Sequence, residues 1–247
     1  MGDLHDDLER IRDRQRPEDG AFERVAARRR SLHLRRRLSA GVLAVVIAGA
    51  GFEVLTRAFD GQHTTPGGSP SPACTITGTN GDDLLRGTPG NDVICGFGGH
   101  DGLFGGSGND ILRGGAGNDV LNPEGGNDLV IGGPGHDLVS YGSSQEAVAV
   151  DLRRGTASGQ GSDRLLTVEG AVGGAGDDLL LGNGAANLLR GNSGDDVLRG
   201  NGGDDKLVAG SGDDTLLGRA GGDFLNGGAG NDSCRQGSGS GKRINCE

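Results

Sequence analysis

Asp83, Asp92, Asp101, Asp110, Asp119, Asp128 and Asp137 stand nine residues apart, and Asp178, Asp196, Asp205, Asp214, Asp223 and Asp232 keep multiples of that period after a break. Only Asn187 interrupts the second series. The five histidines are scattered, with His100 and His136 each immediately before one of these aspartates. No H-E-x-x-H or G-x-S-x-G motif accompanies them, so zinc-protease and serine-hydrolase chemistry is not encoded. What the spacing offers is a row of hard carboxylate oxygens, which suits cation binding.

The residues around each aspartate explain how it is positioned. From Gly78 the chain reads GTNGDDLLR, GTPGNDVIC, GFGGHDGLF, GGSGNDILR, GGAGNDVLN, PEGGNDLVI and GGPGHDLVS, ending at Ser140. From Gly173 it reads GGAGDDLLL, GNGAANLLR, GNSGDDVLR, GNGGDDKLV, AGSGDDTLL, GRAGGDFLN and GGAGNDSCR. The aspartate is the sixth residue of each line, and the eighth is Leu, Ile or Val in every line but the last, where Cys234 stands. Self-similarity of this kind is the signature of a stacked repeat.

The last three residues of each line form a short strand whose middle side chain faces inward, because strand side chains alternate faces. Leu85, Ile94, Leu103, Leu112 and their equivalents then stack into a narrow aliphatic core. The first six residues reverse the chain, and glycine at the first, second and fourth positions accepts the left-handed conformations such a turn needs. Asn183, Asn192 and Asn201 at the second position are the next most tolerant choice. Each turn becomes a bowl of carbonyl oxygens with a carboxylate at its rim. Calcium, which takes six to eight oxygens in flexible geometry, fits such a bowl better than magnesium. If each line covers half a coil, aspartates 18 residues apart share an edge. Five pairs per block, such as Asp83 with Asp101 or Asp196 with Asp214, could each flank one Ca²⁺.

These lines resemble the repeats-in-toxin (RTX) family, whose GGxGxDxUx nonapeptide is a calcium-binding repeat. The resemblance covers residues 78–235 and implies an all-β fold, a right-handed parallel β-roll that is disordered without calcium. It implies Ca²⁺ ligation by the thirteen aspartates named above together with turn carbonyls. Asn187, Pro123-Glu124, Thr79, Thr88 and Arg219 depart from the pattern and mark expected weak sites. Residues 141–172 break the period and read as a spacer whose strands continue the coil without metal-binding turns.

Composition agrees with a solenoid. The chain holds 53 Gly among 247 residues, 3% aromatics, no Trp and one Tyr, Tyr141. Residues 61–247 carry 12 basic and 24 acidic side chains, and the net charge is −10. Such a surface repels nucleic acid and attracts cations. Scarce aromatics also argue against a carbohydrate-binding face.

Residues 1–37 form a charged leader ending in Arg28 to Arg30 and Arg35 to Arg37. Residues 38–55 read as a signal anchor or a cleaved signal peptide, with the N-terminus inside. Residues 56–73 are a polar linker, 74–140 the first block, 173–247 the second block with its cap. The expected location is extracellular, either anchored by a single pass or secreted, with a protein or surface partner that the residues do not name. Four cysteines in such a setting favour disulfides. The local pairing, Cys74–Cys95 and Cys234–Cys246, would staple the end coils of the array, where solenoids fray. No C-x-x-C or Cys/His cluster suggests zinc instead.

Overall fold

The computed structural model describes residues 72–247. The leader (1–37), the hydrophobic segment (38–55) and most of the linker (56–71) lie outside the described residues. Within them every regular element is a β-strand, and no helix is long and apolar enough to cross a membrane.

The strands build two sheets that face each other across one thin core. In spatial order the first sheet holds Ile76–Thr77, Val93–Gly98, Ile111–Ala116, Leu129–Ile131, Ser162–Leu166, Thr156–Ser158, Ala149–Asp151, Leu179–Leu181, Val197–Gly202, Thr215–Ala220 and Ser233–Ser238. The second sheet has nine strands, all parallel, running from Leu84–Arg86 to Lys242–Ile244. Successive nonapeptides alternate between sheets, so each strand pairs with the one 18 residues away: Val93 lies beside Ile111, Leu103 beside Leu121, Leu198 beside Leu216. The half-coil reading of the period is thereby met.

The eighth-position residues form the core as their alternation dictates. Ile94, Leu112 and Val130 on one sheet and Leu103, Leu121 and Val139 on the other are all fully buried, as are Leu189, Leu198, Leu207, Leu216 and Leu225. A core this narrow has few neighbours able to collapse into a void. Leu112→Ala is expected to cost about 2–5 kcal/mol, read as a lowered denaturation midpoint of the calcium-loaded protein.

The spacer continues both sheets, but not by simple coiling. Ser162–Leu166 stacks on Leu129–Ile131 and Gly170–Val172 on Leu138–Ser140, both parallel. Between Ala149–Asp151 and Ser162–Leu166 sits Thr156–Ser158, antiparallel to both, so an inserted hairpin lengthens the first sheet. Tyr141 is fully buried here, and its hydroxyl donates to Asp163 Oδ2 at 2.7 Å.

Both expected disulfides are present. Cys74–Cys95 and Cys234–Cys246 have Cα separations of 6.0 and 5.6 Å. They close loops of 21 and 12 residues, a constraint worth about 3 kcal/mol each in chain-entropy terms.

Candidate metal centres

The sixth-position aspartates line the two edges where the chain turns from one sheet to the other. From Asp101 onward in the first block and from Asp196 onward in the second, one carboxylate oxygen of each ties adjacent coils together by accepting a main-chain N–H from the sixth-position residue 18 residues earlier. Asp92 N–H donates to Asp110 Oδ1 at 2.8 Å, Asp101 to Asp119 at 2.9 Å and Asp178 to Asp196 at 2.8 Å. Asn187 keeps this place, its N–H donating to Asp205 Oδ1 at 2.8 Å.

The other oxygen divides the turns into two kinds. In the first two turns of each block it is capped from within its own turn by the second-position N–H. Thr79 caps Asp83 at 2.6 Å, Thr88 caps Asp92 at 2.7 Å, Gly174 caps Asp178 at 2.6 Å and Asn183 caps Asn187 at 2.8 Å. Thr79 and Thr88 add their hydroxyls to the same oxygens. In the later turns the second residue has positive φ, as at Phe97 (76°), Gly115 (112°), Asn192 (86°) and Arg219 (77°). There Oδ2 of Asp101, Asp110, Asp119, Asp128, Asp137, Asp196, Asp205, Asp214 and Asp223 is buried with no hydrogen-bond partner. Of the turns that depart from the repeat pattern, those of Thr79, Thr88 and Asn187 are of the capped kind. Arg219 and Glu124 (φ 63°) instead adopt the open form.

Nine orphaned carboxylate oxygens cannot be accidental, because a buried unpaired charge is costly. Seven of the nine point into a cradle kept clear by glycine at the first position of the turn, whereas the turns of Asp128 and Asp214 carry Pro123 and Ala209 at that place. A Cβ at Gly114 would collide with Asp119 Oδ2 and stand 2.8 Å from the Gly132 carbonyl oxygen of the next coil. The cradle thus brings together a carboxylate and main-chain carbonyls of two coils, a hard-oxygen donor set that fits Ca²⁺. No three acidic, His or Cys side chains converge among the described residues, so main-chain oxygens must supply much of any ligation.

Burial, with facing carboxylates adding to it, pushes Asp128, Asp196 and Asp205 up to about 7 and Asp137 and Asp214 up to about 6. Asp92 moves the opposite way, because the Thr88 N–H and hydroxyl favour its charged form. For the five raised groups the folded, metal-free state holds protons that the unfolded chain has lost. Their contribution to stability is full below about pH 4 and vanishes as pH climbs through about 6–7. In chelator the melting temperature should thus be higher near pH 5 than near pH 8. Calcium affinity should move the other way, falling as pH drops through the same window.

The spacer supplies the next rung on both edges. Asp128 N–H donates to Asp163 Oδ1 at 3.0 Å, and Asp137 N–H to Glu169 Oε2 at 2.9 Å. Neither acid belongs to the nine-residue lines, and the sequence reading passed over both.

No curated protein sequence matches the chain. Ten chains of known structure do, among them the extracellular lipase LipA from Serratia marcescens, 20% identical over 64% of this chain and 29% of the lipase, with a TM-score of 0.24. The match spans less than a third of that enzyme. The profile of the RTX calcium-binding nonapeptide repeat matches in four copies, at residues 77–112, 104–139, 172–207 and 199–234. That family is a structural calcium-binding module, and its repeats bind Ca²⁺ in a β-roll. With the matched residues making up half of its length and the turns built as described, the chain belongs to the RTX calcium-binding nonapeptide repeat family.

Proposed function

We propose that this chain is an extracytoplasmic scaffold whose β-roll folds on binding calcium. The nine buried, partnerless Oδ2 atoms carry this reading. Asp101, Asp110, Asp119, Asp128, Asp137, Asp196, Asp205, Asp214 and Asp223 hold the ions with turn carbonyls, and Asp232 closes the last pair. Asp83, Asp92 and Asp178 are self-capped and start each block without needing metal. Calcium's charge replaces the hydrogen bonds these carboxylates lack. Two disulfides favour an oxidising compartment. The Arg-flanked hydrophobic segment 38–55 supports delivery across a membrane, as an anchor or as a signal peptide.

Calorimetric titration of the full chain with Ca²⁺, with circular dichroism recorded in parallel, tests the binding reading. Heat and β-sheet signal should rise together at calcium levels found outside cells, while Mg²⁺ leaves both unchanged. A full sheet signal without the ion, or an equal response to Mg²⁺, would overturn it. Protease applied to intact cells should remove the repeats, and their protection would place them inside.

A further inference from the structure

Residues 158–166 read Ser-Gly-Gln-Gly-Ser-Asp-Arg-Leu-Leu, a nonapeptide one residue out of phase with the first block and between the two stretches the family profile matches. Its backbone reproduces the neighbouring turn bond by bond. Gly126 N–H donates to Gln160 O at 3.1 Å, as Gly108 does to Gly125 O at 2.9 Å. Arg164 N–H donates to Asp128 O at 2.8 Å, as Leu129 does to Asp110 O at 2.9 Å. Ser162 N–H donates to Asn127 Oδ1 at 2.9 Å, as Asn127 does to Asn109 Oδ1 at 2.8 Å. Asp163 takes the sixth position and accepts the Asp128 N–H.

The turn is also of the open kind. Gly159, its second residue, has φ 135°, and Gly161 bridges to Gly126 in parallel. Asp128 beneath it is 2% exposed and its Oδ2 has no partner. The other spacer coil makes the contrast. There Val148 donates its N–H to Asp178 Oδ1 from the sixth position, which places an apolar side chain where the carboxylate would be.

We infer that residues 158–163 form an additional calcium turn, the fifteenth turn of the nonapeptide kind, which binds one Ca²⁺ between itself and the turn ending at Asp128, with Asp128 and Asp163 as the paired carboxylates. The inference rests on the calcium reading of the regular turns. Tyr141, whose hydroxyl holds Asp163 Oδ2, fixes that carboxylate from the core side and leaves the turn carbonyls to face the ion.

Tyr141 also gives the test, being the only tyrosine in a chain without tryptophan. Terbium(III) shares calcium's preference for many oxygens and luminesces when energy passes to it from a phenol at near-contact range. In the full chain, excitation of tyrosine should produce terbium luminescence that added Ca²⁺ displaces. Asp163→Asn should drop it to the level of Tyr141→Phe, the optical blank, and lower the calorimetric calcium count by one ion per chain. Asparagine is accommodated at the sixth position, as Asn187 demonstrates, and Asp128→Asn, which takes the site's other carboxylate, should abolish the same luminescence. If the wild type binds calcium but gives no tyrosine-excited signal, or if Asp163→Asn changes neither the signal nor the count, the additional site is wrong. If the wild type binds no calcium at all, the underlying reading has failed instead.

Discussion

In chelator at about pH 8, with its two disulfides reduced, the full chain is expected to lose its sheet signal and cooperative melt, and millimolar calcium should restore both. The metal-free roll stacks carboxylates at one strand spacing along each edge, roughly 4.8 Å apart, with no counter-charge between them. Its core is a single file of aliphatic side chains, which offsets little of the entropy lost in ordering so much glycine. Each open turn with an extracellular-type dissociation constant of about 10⁻⁴ to 10⁻³ M gains about 0.4–1.4 kcal/mol at 1 mM calcium. Over the nine turns whose Oδ2 lacks a partner that sums to about 4–13 kcal/mol, comparable with the whole stability of an ordinary domain. At submicromolar calcium the same contribution is close to zero. Equal thermal midpoints in chelator and in calcium would show that the repeats are a self-sufficient solenoid.

Asp110→Ala should raise the calcium midpoint of folding and reduce the bound count, whereas Asp83→Ala should leave both nearly unchanged. Asp110 is 1% exposed, its Oδ2 faces an open cradle, and its Oδ1 is the acceptor for the buried Asp92 N–H. Removing it takes one carboxylate from a shared site and strands that N–H, a loss of about 1–3 kcal/mol before any calcium is counted. Asp83 is half-buried at the first turn and accepts only from Thr79. Its loss forfeits hydrogen bonds worth about 0.5–1.5 kcal/mol each and no metal site. Calorimetric counts and calcium-dependent melts of the two variants decide the matter, and indistinguishable behaviour would count against sites shared between coils.

Much of this architecture was legible in the sequence because a solenoid writes its geometry as a period. The inward Leu112 and the partnership of Asp92 with Asp110 at 18 residues follow from lines of nine, and the local cysteine pairing from the place of the four cysteines at the two ends of the array. The two kinds of turn were not legible, because residue type at the second position does not decide them. Gly174 caps its own aspartate, whereas Arg219 takes the left-handed conformation. The capped turns are the first two of each block, so the coil beneath is what distinguishes them, and that is a property of the stack. Asp163 was missed for a related reason. The inserted strand Thr156–Ser158 shifts the phase, and a fixed period cannot follow a turn that resumes out of step.

The two disulfides bear on how this rod comes apart. A linear array held by nearest-neighbour contacts ordinarily unzips from a free end, where melting one coil exposes only one new face. With Cys74 tied to Cys95 and Cys234 to Cys246, both ends are pinned, so melting must open inside the array. An internal opening exposes two faces at once. The penalty falls on the transition state for unfolding, so the clips lengthen the folded lifetime beyond what the equilibrium free energy alone would set. Were calcium withdrawn briefly, that lifetime is the property that would keep the folded roll intact until the ion returned.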